Sequence, residues 1–469
     1  MTAAFTAAET VQFGSTTGKA SGGSGNSSRS SKIVLLEASP TWGGRVQSDK
    51  TKDGYTLDRG FAVFIEEYPT SKSILNYQEL RLGKFLPGAL IKTPSTKLQR
   101  VADPLRFPND LFTSLFSNVG TLVDKLKILG LVFHVRTRTV EELFQEEEVD
   151  TLSLLEKHYG FSNKFINEFM KPFLEGIYLA PLEEQSSRMF HFVFKMFSEG
   201  AACLPEGGMG KVTEQLVARV QQVTRTGDVT MDMKVKEPVT DVKYVEDDQS
   251  FLITTANNLS YKAKCVILAT DGPRAHQLLT RLDEKTFASL PEQPQRSVGC
   301  LYYSFQGDPP VVDPILILNG MGGEDEDYAV SHPVNNVCFP SAVSKGYAPE
   351  GYSLCSVTIL EKACEYYRGK PQEELDRAVR KQLMEWFDIT SNISDWVLQG
   401  FYYIPNAQPA QRNGPWAANV HGGRDCTSYQ GKTLPRGFLI CGDHMATATF
   451  NGALEAGVRA GKIAAKTFC

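Results

Sequence analysis

The sequence predicts an α/β protein, in which a discontinuous Rossmann-like nucleotide-binding domain carries an inserted α+β domain. Three observations lead there. Residues 32–38 (KIVLLEA) are a continuous apolar run closed by the acid Glu37, the pattern of a parallel strand buried on both faces. A second buried run, KCVILATDGP at 264–273, ends in small residues, and a third, GFLICGD at 437–443, leads into a helix rich in Gly and Ala. Between these outer runs, residues 103–199 carry Leu, Phe, Val and Ile at helical spacing, and residues 286–410 mix strand-like and helical segments.

The elements divide the chain in order. Residues 1–31 read as a disordered Gly/Ser-rich segment, 32–95 as the first part of the nucleotide domain, and 96–200 as a helical substrate or lid region. Residues 201–285 return to the nucleotide domain, 286–410 supply the substrate-domain sheet and a helix near 371–387, and 411–469 close the nucleotide domain. Thr139-Val-Glu-Glu142 has the form of a capping box opening one of the helices.

Composition narrows the function classes. The 469 residues are 42% hydrophobic and 22% charged, ordinary for a globular chain, with a net charge of -5 that offers no electrostatic footprint for nucleic acid. No run approaches the roughly 18 apolar residues of a membrane span, although peripheral membrane contact stays open. The nine cysteines are scattered and lack any CxxC pair, so the expectation is reduced thiols, no disulfide framework and no metal site. A reducing compartment, plastid stroma or cytoplasm, fits that usage.

The segment from Gly14 to Ser31 has five Gly and seven Ser in 18 residues, too little apolar surface to offset the entropy of ordering. With a single acid, Glu9, residues 1–31 read either as an organelle transit peptide, as a plain linker, or as an incomplete N-terminus.

Glu37 is the first residue with chemistry. An acid at the end of the second strand of a dinucleotide-binding unit accepts hydrogen bonds from ribose hydroxyls, though acids after buried strands are common. It is followed by Ala38 and then by Gly43-Gly44-Arg45, where paired glycines let backbone approach a phosphate and the guanidinium adds a rigid donor fork. The plain alternative is a turn with a surface Arg. Next comes DGYTLDRGF at 53–61, which holds Gly60 and Phe61. In the closing motif, small residues at Gly452, Ala456, Ala460 and Ala464 give a helix face that suits either a ligand or tight packing on a sheet.

Taken together, LEAS…GGRV…DGYTLDRGF, LPEGGMG at 204–210 and GFLICGDHMATATFNGALEAGVRAG at 437–461 resemble the flavin monoamine oxidase, protoporphyrinogen oxidase and phytoene desaturase superfamily. The similarity covers nearly all of residues 32–469. It implies FAD as cofactor and a hydride transfer from substrate to flavin N5. It further implies that Val239 backs the FAD, that Ala269 and Thr270 end the strand running past it, and that Gly442 and Asp443 lie at the ribityl–phosphate region. The backbone at Asn451, Gly452 and Ala453 would meet the flavin O2 edge. His444, directly after Asp443, is a candidate flavin-tuning or proton-shuttling residue, with a structural hydrogen bond as the alternative.

The resemblance also implies a first strand and a GxGxxG turn before Glu37. Counting back 23 residues reaches Gly14, but Thr16 and Lys19 then stand where the second and third glycines belong, and Gly23–Ser28 and Gly320–Gly323 are no better. The expectation is therefore that the first strand and the phosphate helix are absent. Either they precede the sequence given, or the chain is a degenerate, non-catalytic flavoprotein-like binding or scaffold protein. Amine oxidases of the superfamily often place a Lys near N5, and Gln295–Tyr302, the matching segment, has none. That favours a hydrophobic carotenoid- or porphyrin-like small molecule over an amine, with Phe112, Leu115, Phe116, Ile128, Leu131 and Phe133 as possible tunnel walls and Tyr402, Tyr403 and Trp416 as pocket aromatics. Redox-neutral isomerisation on reduced flavin stays open beside oxidation.

Overall fold

A computed structural model describes residues 1–17, 31–94, 97–102, 118–226, 229–321, 326–387, 392–411 and 425–468. The chain opens with helix α1 (Thr2–Thr17) and strand β1 (Ser31–Leu36), then α2 (Pro69–Ile74), β2 (Gly88–Lys92) and β3 (Gln99–Ala102). The helical region follows as α3 (Leu122–Arg136), α4 (Val140–Gln145), α5 (Lys171–Tyr178) and α6 (Ser187–Glu199). Helix α7 (Gly210–Thr226) leads to β4 (Val229–Lys234), an antiparallel meander β5 (Val239–Val245), β6 (Ser250–Thr255) and β7 (Ser260–Ala263), then β8 (Val266–Leu268) and α8 (Gly272–Leu282). Strands β9 (Gln295–Gln306), β10 (Leu316–Asn319), β11 (Val334–Cys338) and β12 (Tyr352–Leu360) precede α9 (Gln372–Trp386) and β13 (Val397–Pro409). Strand β14 (Phe438–Ile440) and helix α10 (Phe450–Phe468) close the fold.

The substrate domain is a seven-stranded sheet in the order β13-β9-β12-β11-β10-β2-β3. Its pairs are antiparallel apart from β10 with β2, which run parallel. Strand β2 thus belongs to this sheet although its residues fall in the stretch expected to build the nucleotide domain. Helix α9 covers one face through Leu375, Val379, Leu383 and Trp386, an i, i+4, i+8, i+11 stripe packed on Leu301, Val357 and their neighbours. In the helical region, Thr121 with Asp124 and Thr139 with Glu142 both close full capping boxes, the second as the sequence predicts.

The nucleotide domain holds two parallel pairs, β1 with β4 and β8 with β14. No described strand joins them.

Helix α1 corrects two expectations. Residues 2–17 are helical, and Ala3, Ala4, Phe5, Ala7 and Ala8 are buried, where a disordered segment contributing nothing to the core was expected. Gly14 lies inside this helix, so the 23-residue count back from Glu37 does not mark a phosphate turn. Helix α1 packs along α10, whose small-residue face is the groove that receives it. A Cβ at Gly457 would stand 3.0 Å from the Thr2 Cβ, and one at Gly461 would stand 2.5 Å from the Ala3 carbonyl oxygen. Here Gly457 and Gly461, beside the Gly452, Ala456, Ala460 and Ala464 series, serve helix–helix contact, and the Gly/Ser tract runs from the end of α1 to the start of β1. The near-match Gly23–Ser28 lies outside the described residues, as does part of Gly320–Gly323.

Candidate functional site

A cavity of about 2070 Å³ reaches from the nucleotide domain into the helical region. Its nucleotide-domain wall includes the whole of β1 and of β8, the start of α1, and Pro405–Gln408 at the end of β13. Both parallel pairs therefore open onto the same space.

Most residues singled out from the sequence meet here. Glu37, Ala38, Gly43, Gly44, Arg45, Gly60, Phe61, Val239, Ala269, Thr270, Gly442, Asp443 and Ala453 all line the cavity. Glu37 directly follows β1, and its Oε1 accepts the Ser39 amide and hydroxyl, both at 2.8 Å, which fixes the carboxylate at the strand end. Gly43 and Gly44 both have positive φ (127° and 58°), and a Cβ at Gly43 would fall 2.6 Å from the Val46 carbonyl oxygen, so only glycine fits that turn.

Arg45 joins the first part of the domain to the last. Its guanidinium donates to the Ala407 carbonyl and to Asp443 Oδ1, each at 2.8 Å. Burial would raise the Asp443 carboxyl, but Arg45 beside it more than offsets this and holds it below the usual carboxylate range. Burial likewise opposes the Arg45 charge, and Asp443 restores it, so the pair is ionic.

Three predicted residues stand elsewhere. Asn451 is buried off the cavity, and its Oδ1 accepts the Thr70 and Ser71 amides at 2.9 and 3.2 Å, so it caps α2. Gly452 abuts Thr447 and takes the Thr449 hydroxyl as acceptor for its amide at 3.0 Å, which caps α10 and leaves Ala453 on the cavity side. His444 is buried behind Gly442 and Gly272 and is not among the lining residues. The Asp443 carboxylate accepts its backbone amide at 3.0 Å.

The helical wall is apolar. Phe165, Phe169, Phe173 and Phe197 follow one another with ring centroids 5.4, 5.6 and 5.5 Å apart, joined by Leu126, Ile128, Leu129 and Val132. Of the tunnel residues read from the sequence, Ile128 lines the cavity, Leu131 is core and Phe133 is on the surface. Phe112, Leu115, Phe116 and Trp416 lie outside the described residues. Tyr402 and Tyr403 are not in the wall. The first donates its hydroxyl to Asp49 at 2.9 Å, and the second packs under Arg368.

The residues fit a flavin dinucleotide by the chemistry of their donors: an acid poised at a strand end, a glycine pair whose backbone is bare to the cavity, and an arginine held by a carboxylate.

A family model described as flavin-containing amine oxidoreductase matches residues 27–465. No curated protein matches the chain in sequence. Among solved structures, a proposed protoporphyrinogen oxidase from Exiguobacterium is 14% identical with a TM-score of 0.65, covering 99% of this chain and 96% of its own. Putrescine oxidase is 13% identical with a TM-score of 0.61, covering 98% and 95%. Cyclohexylamine oxidase from Brevibacterium oxydans is 15% identical with a TM-score of 0.56, covering 99% and 95%. At these identities the structures speak for the fold alone. The family model gives no support to the reading as a non-catalytic scaffold. The chain belongs to the flavin-containing amine oxidoreductase family and is a flavin-dependent oxidoreductase with FAD as its cofactor.

Proposed function

We propose that the chain oxidises a flat or extended hydrophobic molecule, of carotenoid- or porphyrin-like character, in preference to an amine. The row of Phe165, Phe169, Phe173 and Phe197 is the observation that carries this reading. The described acidic residues lining the cavity are Glu37, Glu237, Asp271 and Asp443, none of them in the helical wall. An ammonium group entering there would meet no counter-ion, and an unpaired charge in an apolar wall is costly. Strand β9 supports the same reading, since Gln295–Tyr302 contains no lysine.

The nucleotide end would hold the cofactor. Glu37 would accept ribose hydroxyls, and Gly43, Gly44 and Arg45 would meet the phosphates. Asp443 would lie at the ribityl–phosphate region, oriented by Arg45. Gly60 and Phe61 line the same cavity, Val239, Ala269 and Thr270 would back the cofactor, and the α10 N-terminus at Ala453 would face the flavin O2 edge. When bound, flavin supplies the hydride acceptor. The chain's own part is alignment of the C–H bond and exclusion of water, for which the aromatic wall suffices.

Helix α3 extends the proposal to the surface. Leu122, Val123, Leu126, Leu129 and Phe133 are exposed along it, Phe133 by 71%, and Leu126 and Leu129 also line the cavity. A lipid surface would cover this stripe and deliver an apolar substrate where the cavity begins. Among the described residues no helix is long and apolar enough to cross a membrane. The eight described cysteines are free, which suits a reducing compartment.

Anaerobic mixing of the FAD-loaded chain with a long polyene, a porphyrinogen and putrescine tests the reading. Bleaching of the flavin by the polyene or porphyrinogen and not by putrescine is expected. Bleaching by the amine alone overturns it.

A further inference from the structure

His134, Glu146 and His191 come from three separate segments and meet on the outer side of the helical region. His134 lies in the last turn of α3, Glu146 directly follows α4, and His191 lies in the first half of α6. The Glu146 carboxylate is shared, with Oε1 2.9 Å from His134 Nε2 and Oε2 2.9 Å from His191 Nδ1. The imidazole rings face each other at 4.8 Å.

His134 Nε2 is shielded from solvent, and the partner it faces is the Glu146 carboxylate 2.9 Å away. The other members are braced. Tyr159 Oη lies 2.9 Å from His191 Nε2, and the Arg188 guanidinium donates to the Glu146 carbonyl at 2.8 Å. An imidazole whose second nitrogen is held by a fixed partner is the usual arrangement around a ligating histidine.

We propose that His134 Nε2, His191 Nδ1 and the Glu146 carboxylate bind a divalent cation of the zinc class, tying α3 and α4 to α6. Two imidazoles and one carboxylate, with a water in the fourth position, are a common set for this ion. The three ligand atoms lie within 4.8 Å of one another. Zn–N bonds of ~2.0–2.1 Å require ligand atoms roughly 3.3 Å apart, so the most distant atoms must approach by about 1.5 Å to close the set. On binding, His191 gives up its Nδ1 proton and carries it on Nε2, where it donates to Tyr159. Arg138 is partly exposed, with Nε 3.4 Å from Glu146 Oε1 and Nη1 donating to the His134 carbonyl at 3.2 Å, and its pairing with Glu146 would give way to the cation. The absence of CxxC pairs, which led to the expectation of no metal, says nothing about a histidine–glutamate set spread over 58 positions.

The consequence concerns the cavity wall. Leu126, Leu129 and Val132 of α3 and Val193, Phe194 and Phe197 of α6 line it, so the cation would fasten the two helices that frame the helical end.

The test uses the full chain, stripped with a chelator and titrated with Zn2+ against a chromophoric competitor, and with Co2+ followed in the visible. One ion per chain is expected, with the d–d bands of a four-coordinate cobalt site and a higher Tm in the metal-bound protein. His134→Ala and His191→Ala should each abolish this binding, and Tyr159→Phe should weaken it about tenfold. As a readout without substitution, Zn2+ should protect His134 and His191 from carbethoxylation in the wild-type chain. Failure of wild-type protein to bind, or binding and protection patterns that ignore both histidines, overturns the proposal.

Discussion

Asp58 accepts the Tyr347 hydroxyl at 2.6 Å across 289 positions of sequence, and so links the nucleotide domain to the substrate domain. Its other oxygen accepts the Met209 amide at 2.9 Å and the Ser48 hydroxyl at 2.5 Å. One carboxyl therefore fastens the DGYTLDRGF segment, the LPEGGMG turn and the loop before β12. Burial pushes its pKa up from 3.8 to about 6, and the three donors only partly offset that. Because the folded pKa lies above the unfolded one, the protonated form is favoured by folding. That stabilisation is full below about pH 4 and is lost as pH rises to about 6, roughly 3 kcal/mol in all. Urea denaturation at several pH values should show this slope, and Asp58→Asn should flatten it. An unchanged slope in the variant assigns the titration to another group.

Arg45 and Asp443 respond to pH in the opposite direction. The Asp443 carboxyl is held below its usual range, so the stability that the pair adds is present at neutral pH and lost as pH falls below about 4. Asp443→Ala leaves the Arg45 guanidinium, 35% exposed, without its carboxylate, a loss of about 1.5–3 kcal/mol for a charged hydrogen-bonded pair. FAD retention after gel filtration should drop correspondingly, and Arg45→Lys, which cannot reproduce the forked contact, should retain less FAD than wild type.

The α1–α10 contact predicts sensitivity to single methyl groups. Gly461→Ala places a Cβ 2.5 Å from the Ala3 carbonyl oxygen, so the helices must separate or shift. A loss of about 1–3 kcal/mol is expected from such overpacking, read as a lower Tm. Gly44→Ala, by contrast, meets no atom within 4 Å but sits at φ 58°, and should cost only about 1 kcal/mol of backbone strain while impairing FAD binding.

The apolar stripe on α3 makes a surface prediction. Leu122→Asp with Phe133→Asp should abolish co-sedimentation with phospholipid vesicles while leaving Tm within about 1 °C, because both side chains are exposed. Equal vesicle binding by wild type and variant removes the lipid surface from the proposal.

The parts of the site that were legible in the sequence are those whose chemistry is local. Glu37 after a buried strand, Gly43-Gly44-Arg45 in a tight turn and Gly442-Asp443 at a strand end each show their character within a few residues. Asn451 was not legible, since its role is set by amides of Thr70 and Ser71, some 380 positions away. Asp58 stood in a quoted motif, yet the tyrosine that gives it meaning lies in another domain. Helix α1 escaped notice because it buries alanines, which make no strong apolar stripe; its partner face on α10 was visible, and was open to either a ligand or a packed element.

That helix pair has a mechanical consequence. Strands β1 and β8 lie in separate ladders and both line the cavity, and among the described residues no ladder bridges the gap between them. Helix α1 touches β4 of one ladder and lies along α10, which touches β14 of the other. The two helices act as a splint across the gap. Glu37 rides on one half and Asp443 on the other, so the closeness allowed by Gly457 and Gly461 sets the span between these two sides of the cavity.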